Sequence, residues 1–448
     1  MPKLRISMKK VYSRVGACLS IAILAACAGA NNSISSTSMP VAPKIATSTT
    51  QLSGSAPHRL QPSLKRQRLA LGTEKVLYSF KGGHDGDIPE AGLLAVKGVL
   101  YGTTFAGGSN DLGTVFGIST SGKERILYSF YGPARTDGGN PQSGMIAVNG
   151  ALYGTTYDGG LGCISSCSSQ PCGSGSDSGC GTVFEVSTSG SESVVYRFEN
   201  DSDAAYPSAG LVDVKGTLYG TTQNGGAHGA GTVFSITPSG KETVLHSFAG
   251  GSRDGSDPWA GLVDDKGTLF GTTQTGGAKG NGTVFSISPS HKETVIYSFA
   301  GGSDGKYSLG DLIDINGTLY GTTSGGGANK DGTVFSITTS GKERVLYSFK
   351  GVPDGVYPEA GLTTVGGALY GTTFAGGSHS CNTANFRGCG VVFKVTLSGK
   401  EQVLHRFQGA KADGAGPFAP LLAFGGMLYG TTSAGGTSNN GVVYELAP

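Results

Sequence analysis

Four short phrases recur in one fixed order, seven times each, from Thr73 to the end of this 448-residue chain: a VLYSF-like run, a Gly-Leu-apolar run, LYGTT and GTVF. The aromatic of LYGTT falls at Tyr101, Tyr153, Tyr219, Phe270, Tyr320, Tyr370 and Tyr429, a period of about 50 residues broken by insertions in two copies. One such unit is too small to bury its own apolar residues, so the copies must stack on one another. Four strand-like phrases per unit of this length indicate propeller blades. Within the first unit, Lys97-Gly98 is a two-residue hairpin turn, and Ser121-Gly122 closes a second hairpin. The order predicts a four-stranded antiparallel meander. Apolar residues at consecutive positions, as in Val99-Leu100-Tyr101 and Val115-Phe116, fit strands covered on both faces. The 78 glycines would suit a disordered chain, but the regular Val, Leu, Tyr and Phe give every repeat something to bury.

The ends of the repeat region complement one another. It begins with a lone outer strand, Val76-Leu77-Tyr78-Ser79-Phe80, and stops at Tyr444-Glu445-Leu446-Ala447-Pro448, one strand short of a full blade. The predicted fold is therefore all-β: a seven-bladed β-propeller of four-stranded antiparallel blades over residues 73–448, its ring closed by the N-terminal strand completing the last blade. Pairing these ends removes an exposed ladder. An open array or β-solenoid would leave both ends ragged.

Residues 1–27 carry Lys3, Arg5, Lys9, Lys10 and Arg14 ahead of an apolar run too short to span a bilayer, the pattern of an export signal. The run ends in Leu24-Ala25-Ala26-Cys27, which resembles a bacterial lipobox, so Cys27 is the expected lipidation site. Ala28 at the following position favours the outer membrane or cell surface. Cleavage after Ala28-Gly29-Ala30, giving a secreted soluble protein, is the alternative. Residues 28–72, rich in Ser, Thr, Ala and Pro, read as a disordered tether. Loss of the signal leaves 28 Lys and Arg against 31 Asp and Glu, a net of −3, and loss of the tether leaves −8. Nucleic acid is thus not an expected partner, and the membrane is met only through the anchor. A monomer is expected.

The phrases Pro89-Glu90-Ala91-Gly92-Leu93, Leu100-Tyr101-Gly102-Thr103-Thr104, Gly107-Gly108, Gly113-Thr114-Val115-Phe116 and Val76-Leu77-Tyr78-Ser79-Phe80 resemble the bacterial tandem repeat family called GloVer, over everything from about Glu74 onward. They are more distantly similar to kelch repeats. The resemblance implies an exported propeller and no particular activity, and fold does not supply function.

Meander geometry puts the tight turns on one face and the Gly-Gly loops and blade-to-blade crossovers on the other, which makes the second face the default site. Two residue sets on it are candidates. Tyr206, Trp259, Tyr307, Tyr357 and Phe418 precede the inner strands and are either ligand contacts, with sugar rings in view, or lids on the core. Asp85, Asp137, Asp254, Asp304, Asp354 and Asp413 each precede a glycine in a crossover, with Asp203-Ala204 in the third copy. They read first as turn carboxylates and second as calcium ligands. Of eight cysteines, six lie in the repeats. Export favours disulfides over zinc: Cys381 with Cys389, and Cys163 with Cys180 enclosing Cys167 with Cys172, zinc with His379 being the rival.

Catalytic motifs are weak. The domain's histidines are scattered, and His246 and His405 stand where other copies have the tyrosine of VLYSF. Gly301-Gly302-Ser303-Asp304-Gly305 matches a nucleophile-elbow pattern without the strand-turn-helix it needs. The expectation is a non-catalytic binding platform for glycan or protein at the cell envelope, with no catalytic residue, resident metal or cofactor assigned. The alternatives are a carbohydrate-active propeller enzyme (lyase or glycosidase) and a purely structural envelope or matrix protein.

Overall fold

The computed structural model describes residues 72–135, 137–160, 179–200, 202–378, 381 and 388–448. The chain divides into two units, Met1–Arg68 and Leu69–Pro448, and only the second is described. The expectations on Cys27, Cys163, Cys167, Cys172, His379 and the tether fall outside the described residues.

Seven four-stranded antiparallel sheets form in chain order, and together they make a seven-bladed β-propeller. The first blade is Leu94–Val96, Val99–Thr104, Thr114–Ser119 and Glu124–Ser129. Its first turn, Lys97-Gly98, has φ of 49° and 82°, the conformation of a two-residue hairpin whose twist matches its strands. The seventh blade takes Leu422–Phe424, Met427–Thr432 and Val442–Leu446 from the C-terminus, and Glu74–Ser79 from the N-terminus as its outer strand. Glu74 lies opposite Leu446 and Val76 opposite Tyr444, so the ring closes as the complementary ends require.

No blade has a core of its own. Each of the seven buried apolar clusters straddles two neighbouring blades; one joins Phe80, Tyr429 and Val443 of the seventh to Leu93, Leu100 and Phe116 of the first. At every interface the Phe that ends an outer strand meets the edge of the next blade's third-strand aromatic: Phe80–Phe116, Phe130–Phe184, Phe198–Phe234, Phe248–Phe285, Phe299–Phe335, Phe349–Phe393 and Phe407–Tyr444, with centroids 5.0–5.2 Å apart. That third-strand ring also explains the glycine of LYGTT. Gly102 faces Phe116 across the strands, and a Cβ there would come within 2.5 Å of the Phe116 ring. The close approach is thus within a blade, of a ring over a bare backbone.

Interfaces are also tied by hydroxyls. The first threonine of LYGTT reaches a carbonyl of the next blade's inner segment, as in Thr322 Oγ1 to Ala360 O (2.9 Å) and Thr431 Oγ1 to Ala91 O (3.0 Å). Thr272, facing the fifth blade, is the exception: its Oγ1 is buried without a partner. There the sequence Ser308-Leu309-Gly310-Asp311 stands in place of the usual Pro-x-Ala-Gly.

Candidate binding cavity at the tunnel mouth

Each crossover pairs with the Gly-Gly loop of the blade it enters, for example Gly138–Gly139 with Asp158–Gly159 and Gly355–Val356 with Gly376–Ala375. Loops and crossovers therefore share one face, and the inner segments converge beneath it. A cavity of about 260 Å³ opens there, walled by residues from all seven blades.

One register position, the residue two before the inner-strand glycine, enters its wall from every blade: Glu90, Gln142, Ser208, Trp259, Leu309, Glu359 and Phe418. Below them run Gly92, Gly144, Gly210, Gly261 and Gly361, with Asp311 and Pro420 in the remaining two blades. Space is tight there; a Cβ on Gly144 would sit 3.1 Å from the Gly92 carbonyl oxygen, so five of the seven blades carry glycine. Asp311 brings the one carboxylate at this level, accepting from the Gly261 N–H at 2.6 Å.

Among the wall groups, Glu90 and Glu359 are almost fully enclosed by protein, and burial pushes each carboxyl up to about 8. The Glu90 charge adds to the rise at Glu359, and Asp87 to that at Glu90. Both acids are therefore mostly protonated at neutral pH and can donate. Gln142 Oε1 and Glu359 Oε2 are buried with no hydrogen-bond partner in the protein.

The five aromatics anticipated as one set occupy two different positions. Trp259 and Phe418 line the cavity. Tyr206, Tyr307 and Tyr357 lie two residues earlier, where the chain takes a left-handed turn (φ 60°, 60° and 57°), and none of the three is in the cavity wall. Tyr206 stacks on Tyr157 at 5.0 Å, and the Lys306 ammonium lies 4.8 Å from the Tyr307 ring centre. Neighbouring letters in the sequence concealed a two-residue offset between the sets. Nor was the acidic pair visible: Glu90 stands within a repeat phrase, and nothing in the sequence singles out Glu359.

The crossover aspartates act locally. Asp304 accepts the N–H groups of Ala300 (2.7 Å) and Gly305 (2.6 Å) and the Tyr297 hydroxyl (2.9 Å). Asp354 repeats this with Lys350, Gly355 and Tyr347, and Asp137 with Tyr131, Gly138 and Tyr128. Asp85 accepts from Lys81 N and Tyr78, while Asp254 and Asp413 face His246 and His405 instead of a tyrosine. A β-bulge in every outer strand turns this aromatic toward its aspartate; in the fourth blade Val284 pairs Tyr297 and Phe285 pairs Val295, leaving Ile296 as the extra residue. The next blade contributes a glutamate to each cluster, Glu343 beside Asp304 for instance. Burial first, and the aspartate charge second, push Glu124, Glu192, Glu242, Glu343 and Glu401 up to about 7. Burial and the neighbouring carboxylates hold the Tyr78, Tyr128 and Tyr347 hydroxyls protonated far above their ordinary range.

Cys381 and Cys389 form a disulfide, with Cα atoms 5.1 Å apart. Cys180 is also disulfide-bonded.

The solved structures that resemble the propeller show how far likeness extends. A streptogramin B lyase aligns with a TM-score of 0.51 over 83% of this chain and 96% of its own, at 12% identity. A 6-phosphogluconolactonase-like protein from Bacteroides uniformis gives 0.44 over 70% and 83%, at 13% identity. A gluconolactonase from Xanthomonas campestris gives 0.36 over 59% and 78%, at 14%. At these identities the first shares the fold alone. No curated protein matches in sequence. The model of the Gloeobacter/Verrucomicrobia repeat, by contrast, matches residues 63–169 and 171–385, most of the chain and the same phrases that build the blades. The chain belongs to the Gloeobacter/Verrucomicrobia repeat family.

Proposed function

We propose that this protein is a non-catalytic binding module of the cell envelope, whose tunnel mouth takes a sugar residue of a glycan. The observation that carries this is the cavity itself: Trp259 and Phe418 supply flat apolar faces, while Gln142 Oε1 and Glu359 Oε2 are buried in its wall without protein partners. Aromatic faces beside donors and acceptors fit a sugar's C–H face and its hydroxyls. With both glutamates protonated, the mouth suits a neutral ligand.

The seven repeats of one chain supply a second line of support. Their strands differ little, yet the wall position reads Glu, Gln, Ser, Trp, Leu, Glu, Phe. Packing imposes no such variety where the surrounding frame is constant. Export through residues 1–27, with lipidation at Cys27, would display the ring at the outer membrane or cell surface. A Cys27→Ser chain that still incorporates labelled fatty acid would refute the anchor.

The test is retention on a panel of soluble plant and microbial polysaccharides. Trp259→Ala and Phe418→Ala each weaken retention about tenfold, with the folded circular-dichroism spectrum preserved. Tyr357→Ala, outside the wall, leaves it unchanged. Equal retention by all variants overturns the reading and favours a structural role.

One observation favours a second reading, a carbohydrate-active enzyme: two carboxyls raised to about 8 stand in one cavity, and a protonated carboxyl is a general acid at neutral pH. Shortening of a polysaccharide by the native protein, lost in Glu359→Gln, would establish it.

A further inference from the structure

At five blade interfaces the bulge aromatic is a tyrosine, and Tyr297 and Tyr347 show its role: the hydroxyl donates a proton to the crossover aspartate at 2.9 and 2.8 Å. At the remaining two, between the third and fourth blades and between the sixth and seventh, the same position holds His246 and His405. The substitution removes a phenol donor and presents a ring nitrogen to the same two carboxylates. His246 Nε2 lies 3.3 Å from Asp254 Oδ2, and His405 Nε2 lies 3.3 Å from Asp413 Oδ1. Glu293 and Glu74 complete the groups, with all ligand atoms of each within 4.8 Å of one another. Among the described residues these are the two clusters of this kind.

We propose that His246–Asp254–Glu293 and His405–Asp413–Glu74 are two binding sites for a divalent first-row transition cation, with zinc as the reference ion. The donor set is one imidazole nitrogen and two carboxylates, three protein ligands with a position left for water. Bonds of about 2.0–2.2 Å place ligand atoms roughly 3 to 4 Å apart, so small side-chain rotations close the observed spread. A nitrogen ligand favours zinc over the calcium that carboxylates alone would suggest.

At each site a buried glutamate oxygen, Glu293 Oε1 or Glu74 Oε1, has no hydrogen-bond partner; the five tyrosine interfaces share that feature, but only at these two does an imidazole nitrogen stand in the same group. The aspartates are already aimed: Asp254 is held by the N–H groups of Ala249 and Gly255, and Asp413 by those of Gln408 and Gly414, all at 2.7 Å. Such outer bonds orient a metal-binding carboxylate before the ion arrives. Two carboxylates, when ionised, carry a charge of −2, which a dication cancels. At the tyrosine interfaces a shared phenol proton does part of that work.

Each site bridges two blades. The second has a particular consequence, because Glu74 belongs to the N-terminal strand that completes the ring. A cation there pins the closing strand to the sixth blade and to its crossover.

The experiment uses the full chain, stripped with chelator, reloaded with zinc and desalted, its zinc content then measured by mass spectrometry. Wild type retains two equivalents more than the His246→Tyr/His405→Tyr double variant, and each single variant loses one. Tyrosine is what five interfaces already carry, so these variants keep the fold. Zinc raises the melting temperature of wild type, and raises it less in His405→Tyr. Equal zinc content in wild type and double variant overturns the proposal. So does a wild-type melting temperature that does not respond to zinc.

Discussion

The ring of Phe80 meets the edge of Phe116 at 5.1 Å between centroids, and this contact joins the first strand of the propeller to the blade that follows it in sequence. Phe80 follows a strand that pairs with the last strand of the chain, so the contact ties the closing strand of the seventh blade to the first blade, next to the seam. Its geometry repeats at the other six interfaces. The interface beside the seam is therefore built like any other, and what sets the seventh blade apart is that its outer strand arrives from the other end of the chain.

Deleting residues 74–80 should open the ring at that point. Val442–Leu446 would lose its outer partner, and a bare strand edge pairs with other chains. The expected result is a lower melting temperature with self-association on size exclusion. A synthetic peptide covering residues 73–81, added in trans, should reverse both.

Gly321→Ala should destabilise by about 1–3 kcal/mol, although alanine is ordinarily the better residue in a strand. An added Cβ would meet the Phe335 ring at 2.7 Å and Leu312 at 2.8 Å. Pairing the change with Phe335→Leu should recover part of the loss, giving a coupling of about 1 kcal/mol in a denaturant-unfolding cycle. Additive effects would show that the ring does not hold the glycine in place.

Thr272 and Thr322 occupy the same repeat position and should respond oppositely to valine. Thr322 Oγ1 donates to Ala360 O, so Thr322→Val loses a buried bond at about 1 kcal/mol. Thr272 Oγ1 is buried without a partner, so Thr272→Val should be neutral or stabilising. Chemical denaturation of the two variants side by side decides it.

The interface glutamates make stability depend on pH in an unusual direction. Burial raises Glu343 from 4.5 to about 7 in the folded chain, so between those values the folded state holds a proton that the unfolded state has released. Stability from this group is complete below about pH 4.5 and is lost as pH rises toward 7. Glu343→Gln should therefore melt above wild type at pH 8 and close to it at pH 4. A difference of the same size at both pH values would remove ionisation as its cause.

The repeat phrases determined most of the architecture without help. A fifty-residue unit with four strand phrases has no core alone, the count of phrases is seven, and the lone strand at Val76–Phe80 supplies what the last unit lacks. The Cys381–Cys389 bridge was also readable, because it rests on local chemistry and spacing. Tertiary structure decided the rest, for one physical reason: a closed ring brings each repeat position onto the next repeat's neighbouring strand, a separation of some fifty residues or, at the seam, the length of the domain. Only that convergence separates Trp259 and Phe418 from Tyr206, Tyr307 and Tyr357, sets Glu90 beside Glu359, and places His405 against a glutamate from the far end of the chain.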